Sequence, residues 1–227
     1  MLKIYGVPIS VHTRKVIVAA IAKGVEFDNE PVVPFRPPPR WNELSPTGKI
    51  PVATDGPLSL ADSSVICTYL ERVHPEPRLY PAEVREHVAA LWIEEYADGT
   101  LFREVVHPLF FQMYIRPHML EQQTDAAVVA DTCQNALPRV FDYLERNLED
   151  VHFVGTTLSI ADIAVASNLI NYHYLGFTLD RARYPKLGEF FSHAIGTPAL
   201  ATALRAEQPV SEAMGLNREF LRDVPDR

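Results

Sequence analysis

The stretch NELSPTGKIPVATDGPLSLADSSVICTYLERVHP, residues 42–75, decides how this chain is read. It sets an Ile50-Pro51 pair before a short strand-like segment, turns at Asp55-Gly56 into a second strand, and places Asp62-Ser63 at the head of a helix-patterned run. Proline removes a ladder donor, so an X-Pro pair at a strand edge leaves the preceding N–H and C=O to an extended partner. A cis bond there is a deliberate turn that aims those groups outward. Asp62 and Ser63 supply cap-type oxygens, and the first N–H groups of the following helix form an anion site. Together these features describe a grip on a peptide backbone with a carboxylate at one end. Alone, Asp-Ser before a helix is only a cap.

Upstream, Leu2 to Tyr5 reads as a strand, Arg14 to Lys23 as a helix stopped by Gly24, and Val25 to Val33 as a second strand. Pro31, Pro34, Pro37, Pro38 and Pro39 make 31–40 a stiff, polyproline-like loop outside the sheet. Trp41 to Leu44 reads as one helical turn, Val52 to Thr54 and Leu58 to Leu60 as a hairpin, and Ser63 to Val73 as a helix. The order is βαβ, then ββα. Strand signals end after His74-Pro75-Glu76-Pro77. Helical patterns follow from Val84 to about Met113, interrupted near Gly99 and Pro108, and from Thr124 to Leu148 with a kink at Pro138. Others cover Ser159 to Tyr174, Pro185 to Ile195 and Pro198 to Ala206. The fold class is therefore α/β plus all-α: one domain over 1–76, a linker over 77–84 and a helical domain over 85–227.

Composition closes several doors. The chain has 227 residues, with 21 Lys plus Arg against 29 Asp plus Glu, a net charge of −8 that argues against nucleic acid and anionic membranes as partners. The longest apolar run, Val16 to Ala22, is too short to span a bilayer, and the N-terminus leads into a strand instead of a signal segment, so a cytoplasmic protein is expected. Cys67 and Cys133 form no CxxC, so neither a disulfide framework nor a metal site is indicated.

Taken with KIYGVPISVHTRKV (3–16) and FVGTTLSIADIAVASNL (153–169), the opening stretch makes the chain resemble the cytosolic glutathione transferase superfamily along nearly its whole length. The first segment is similar to serine-type members (theta, phi and beta-like bacterial), in which a Ser after strand one lies four residues before an Arg, here Ser10 and Arg14. The second resembles the glutathione-site segment of thioredoxin-like domains with its cis-proline, and the third the capping box and staple of a buried helix. The resemblance implies a thioredoxin-like first domain, a homodimer, glutathione as co-substrate without a separate cofactor, and a small hydrophobic electrophile as second substrate.

The chemistry gives a hydroxyl at Ser10 a purpose. A free thiol titrates near about 8.5, so little glutathione is thiolate at neutral pH, and the thiolate is the nucleophile. A serine O–H at a helix N-terminus adds a charge-assisted hydrogen bond of about 1.5–3 kcal/mol and a dipole contribution of roughly 0.3–1 kcal/mol, enough to lower the thiol pKa by about one to two units. As a residue alone, Ser10 is a helix cap or a thiol-facing hydroxyl. Val11-His12-Thr13 departs from the usual serine-type triplet, so Thr13 and Tyr5 remain alternative thiol partners, and His12 stands beside them as an acid or base.

By resemblance, Ile50 pairs its backbone with the cysteinyl unit, Pro51 is the cis-proline, Ser63 takes the γ-glutamyl carboxylate and Asp62 the ammonium. Lys49 approaches the glycyl carboxylate, and Arg36 or Arg40 stands in for a basic pair. Phe102, Phe110, Phe111 and Tyr114 are the candidates for an apolar pocket, with Trp92, Met113 and Tyr172 also available. Ser159 and Asp162 read as a capping box with a folding role. A non-catalytic scaffold or ligand carrier on the same fold is the alternative function, since fold does not dictate activity.

Overall fold

The computed structural model describes residues 1–223. By internal contacts the chain divides into two units, one formed by Met1–Tyr80 with Thr197–Met214 and the other by Pro81–Gly196 with the described residues that follow Met214.

The first unit is built on a four-stranded sheet of β1 (Leu2–Tyr5), β2 (Phe27–Glu30), β3 (Val52–Asp55) and β4 (Leu58–Leu60), in the order β2-β1-β3-β4. β1 pairs parallel with β2 and antiparallel with β3, which pairs antiparallel with β4. The parallel pair needs a crossover, supplied by α1 (Val11–Ala22). Gly24, at φ +64°, ends that helix in the left-handed conformation that a side chain would resist. β2 stops at Glu30 because Pro31 has no N–H to offer the ladder. The proline-rich loop is turned, not extended: Arg36 N–H bonds Val33 O and Trp41 N–H bonds Pro38 O, leading into the single turn α2 (Trp41–Leu44). α3 (Ser63–Val73) follows β4 and packs on α1 with Ile66, Cys67 and Leu70 buried.

Lys23 ties this unit together. Its buried ammonium pairs with Glu71 at 2.6 Å and donates to the carbonyls of His74 and Pro77 at 2.8 and 2.9 Å, so three donors meet three acceptors. The helix α11 (Pro198–Ala213) completes the unit against α1.

The second unit is helical: α4 (Val84–Tyr96), α5 (His107–Phe110), α6 (Arg116–Met119), α7 (Ala126–Asp131), α8 (Leu137–Asn147), α9 (Ile160–Tyr174) and α10 (Pro185–Gly196). The interruptions expected at Gly99 and Pro108, and the kink at Pro138, are changes of winding. Residues 97–106, 111–115 and 132–136 are π-wound, and each stretch is followed after one residue by Pro108, Pro117 or Pro138. A proline ring strikes the carbonyl four residues back in an α-helix, and the wider π turn moves that carbonyl aside. α9 is buried along its whole length and forms the core of this unit. Asp162, fully buried near its start, accepts from Ser159 N–H (2.8 Å), Ser159 Oγ (2.9 Å), Phe153 N–H (2.8 Å) and His152 Nδ1 (3.2 Å). Four donors converge on this carboxylate, three on Oδ2 and one on Oδ1, and fix the start of the helix.

Candidate active site

Ser10 is the N-cap of α1 in an extended conformation, φ −66° and ψ 131°, yet its side chain caps nothing. Its backbone is held on both sides. The Ser10 N–H donates to Val7 O at 3.0 Å, its carbonyl accepts from Arg14 N–H at 2.8 Å, and the preceding Ile9 carbonyl accepts from Arg14 Nη2 at 3.2 Å. The half-buried hydroxyl thus sits on a fixed backbone at the positive end of a twelve-residue helix.

The two alternative hydroxyls are placed differently. Thr13 is fully buried, its Oγ1 has no hydrogen-bond partner among the described residues, and it presses on Gly6, where a Cβ would lie 2.4 Å from Oγ1 and 3.3 Å from Ile50 Cβ. Tyr5 is half-buried and packs with Ile50, Leu44 and Ala61 around Val32, Trp41 and Val52, its ring 6.2 Å from that of Trp41.

Ile50-Pro51 is cis. The β1–β3 register ends at Tyr5↔Val52, so Ile50 lies beyond the ladder. The segment before it is clamped from below: buried Ser45 donates its hydroxyl to Lys49 O at 2.7 Å, and Trp41 Nε1 donates to Gly48 O at 3.3 Å. In a trans peptide C=O and N–H point opposite ways, so anchoring the Lys49 carbonyl on Ser45 turns the Ile50 N–H away from Ser45. Sequence reasoning missed Ser45 and Trp41 because their role is to orient a peptide plane, and the Ser45-Pro46-Thr47-Gly48 turn gives only a loop signal.

Asp62 is the N-cap of α3, its Oδ1 accepting from Val65 N–H at 3.1 Å, and Ser63 is the first helical residue, 7% exposed. From α1, buried Lys15 reaches Ser64 Oγ at 2.9 Å. The first two turns of α1 therefore reach the head of α3 through Lys15, and Thr13 of α1 and Ile50 both border Gly6. Lys49 and Arg36 are exposed, and Arg40 is engaged with Glu43 at 2.7 Å. Arg36 is joined to the other candidate residues by no hydrogen bond or ion pair among the described residues.

The aromatic candidates belong to the second unit. Phe102, Phe110, Phe111 and Tyr114 are each half-buried, in two lines of rings: Phe102–His107–Phe111 at 5.5 and 6.0 Å, and Phe110–Tyr114–His118 at 5.3 and 4.8 Å. Tyr172 is core instead, between Phe141 and Phe177, and burial drives its phenol pKa far above the usual value. Trp92 is exposed and donates to Tyr143 Oη. Among the described residues no group of His, Cys, Asp and Glu could hold a metal ion.

A mixed four-stranded sheet with a cis-proline before β3, followed by a helical unit, defines a thioredoxin-like domain joined to an all-α domain. Residues 4–78 match the family model of the glutathione S-transferase N-terminal domain and residues 107–207 that of the C-terminal domain. The chain belongs to the cytosolic glutathione transferase superfamily, and this membership supports a glutathione transferase enzyme. It is 31% identical over 179 residues to the probable maleylacetoacetate isomerase of Vibrio cholerae, covering 74% of this chain and 77% of that one. It is 26% identical over 209 residues to a glutathione S-transferase of Triticum aestivum, covering 91% and 94%. In fold it is similar to a glutathione S-transferase structure from Rhodospirillum rubrum, with a TM-score of 0.82 at 23% identity, covering 90% and 92%.

Proposed function

We propose that this enzyme is a serine-type glutathione transferase in which the Ser10 hydroxyl donates a hydrogen bond to the sulfur of glutathione and holds it as thiolate. The observation that carries this reading is that the Ser10 side chain is unused by the helix it starts, while two backbone bonds and the Arg14 guanidinium on the Ile9 carbonyl fix its position. Ile50 pairs its N–H and C=O with the cysteinyl unit, next to the cis bond to Pro51. Ser63 and its N–H at the head of α3 bind the γ-glutamyl carboxylate, Asp62 faces the ammonium, and Lys49 meets the glycyl carboxylate, with Arg36 as a further cation. The thiol proton goes to solvent and the thiolate forms a C–S bond to the electrophile, displacing a leaving group or adding to an activated double bond. Phe102, Phe110, Phe111 and Tyr114 are the residues of the helical unit that bind the hydrophobic electrophile. Glutathione acts as co-substrate and no resident cofactor takes part.

The protein is cytoplasmic in this reading; among the described residues no helix is long and apolar enough to cross a membrane. It works as a homodimer. Val84, Val88 and Trp92, 73%, 59% and 55% exposed, recur every four residues on α4 and offer a second copy an apolar stripe to cover.

The test is turnover of glutathione with an aromatic electrophile, alongside retention on immobilised glutathione. Turnover that falls at least tenfold in Ser10→Ala while retention persists is the expected result. Retention without turnover in the wild type supports a ligand carrier, and neither supports a scaffold.

A further inference from the structure

Arg14 and Glu207 form a deeply buried ion pair in the first unit, 0% and 1% exposed, and they join residues 193 positions apart. The pair is a fork: Arg14 Nε lies 3.2 and 2.9 Å from the two Glu207 oxygens, and Nη2 lies 2.9 Å from Oε1. The same Nη2 reaches past the carboxylate to the Ile9 carbonyl at 3.2 Å, while the Arg14 backbone N–H holds the Ser10 carbonyl at 2.8 Å. One residue therefore fixes both peptide planes that flank the Ser10 Cα, and the carboxylate of α11 fixes that residue's guanidinium.

We infer that Glu207, acting through Arg14, is a positioning residue for thiol activation: the last long helix of the chain sets the direction of the Ser10 hydroxyl. The inference rests on Ser10 being the group that faces the sulfur. A buried ion pair of this kind is a poor device for stability, because apolar residues of similar volume commonly hold a fold as well. A guanidinium is suited to the task because its planar fork spends some donors on the carboxylate and retains one for a backbone carbonyl, which a lysine ammonium at the end of a flexible stem does not reproduce. The consequence falls on one step. Loss of the anchor removes the partner of the Ile9 carbonyl and leaves the Ile9–Ser10 peptide its Ser10 N–H bond to Val7 O, so the plane tilts about that bond and moves the hydroxyl off the sulfur, whereas Ile50, Asp62 and Ser63 continue to hold glutathione. The predicted signature is a higher thiol pKa and a lower kcat with little change in glutathione affinity.

The variant Arg14→Met/Glu207→Met removes both charges at once, so no bare guanidinium remains to favour the thiolate and mask the effect. Arg14→Lys, which keeps the charge and loses the fork, serves as the milder second variant. Each is compared with wild type and Ser10→Ala by ultraviolet titration of bound glutathione thiolate, by kcat and KM, and by glutathione affinity in calorimetry. The expected result is a thiol pKa raised by about one unit and a kcat at neutral pH lowered about tenfold in both variants, with affinity within about threefold of wild type. A wild-type thiol pKa in either folded variant, while Ser10→Ala shifts it, overturns the role of Glu207 and leaves that of Ser10 standing. No shift in Ser10→Ala overturns the reading of Ser10 itself. Equal losses of affinity and kcat, with the pKa unmoved, mark the pair as structural only and also overturn the inference.

Discussion

Replacing Gly6 with alanine probes the point where the loop to Ser10, the first turn of α1 and Ile50 meet. Gly6 has φ +149°, a conformation that costs an L-residue about 1–3 kcal/mol. The new Cβ would lie 2.4 Å from Thr13 Oγ1, 3.2 Å from Thr13 Cγ2 and 3.3 Å from Ile50 Cβ. Ordinary contact begins at 3.4 Å, so the closest pair is short by about 1 Å, and Thr13, with no exposed surface, has nowhere to retreat. Overpacking of this sort adds about 1–3 kcal/mol, giving a total loss of roughly 2–6 kcal/mol. Thr13→Ala removes the two clashing Thr13 atoms together with a buried hydroxyl that has no partner among the described residues, so that change alone costs about 1 kcal/mol or less, with Ile50 Cβ at 3.3 Å the close contact that remains. In the Gly6→Ala background it restores the packing share, about 1–3 kcal/mol, and leaves the backbone share in place. Urea denaturation of the four proteins in the cycle measures this coupling. Additive effects within about 0.5 kcal/mol would show that Thr13 does not press on Gly6 and would refute the reasoning.

Other expectations follow from single contacts. Lys23→Met leaves Glu71 in a part-buried site without its cation and frees two carbonyls, so a loss of about 3–5 kcal/mol is expected in urea unfolding, and a change under 1 kcal/mol would contradict it. Ser45→Ala releases the Lys49 carbonyl and is expected to raise KM for glutathione several-fold with kcat nearly unchanged; a fall in kcat alone would place Ser45 elsewhere in the mechanism. His152 titrates above its ordinary value of about 6.5, chiefly because it hydrogen-bonds the Asp162 carboxylate. A raised folded pKa stabilises fully below the unfolded value and is lost as pH rises through the folded one. The stability gap between wild type and His152→Asn should thus be widest below about pH 6.5 and shrink at higher pH, and a gap that widens with pH would reverse the assignment. Val88→Glu with Trp92→Ser should turn the proposed dimer into a monomer in light scattering, and a mass equal to that of the wild type would contradict the proposed α4 interface.

Much of the first unit was legible. β1 and α3 have the bounds the sequence implies, Leu2–Tyr5 and Ser63–Val73, because alternation and an Asp cap are strong local signals. α1 begins three residues before Arg14, since Ser10 takes the cap position and Val11 is already helical. Local rules also misplaced the breaks at Gly99 and Pro108, where a change of winding accommodates the proline and the helix continues. The cis Ile50-Pro51 bond and the Asp62 cap of α3 could be read because their backbone chemistry is written in neighbouring residues. Glu207 could not, because its partner lies 193 residues away and a glutamate in an amphipathic helix looks like a solvated charge. Ser45 and Lys23 were hidden for another reason: Ser45 bonds a backbone carbonyl and Lys23 bonds two besides Glu71, and carbonyls carry no residue signature.

The most direct measurement is the ultraviolet titration of enzyme-bound glutathione in wild type, Ser10→Ala, Thr13→Ala and Tyr5→Phe. With Ser10 as the donor to sulfur, the thiol pKa rises by about one to two units in Ser10→Ala and holds in the other two. A Ser10→Ala enzyme whose bound thiol titrates as in wild type would contradict the account at its centre.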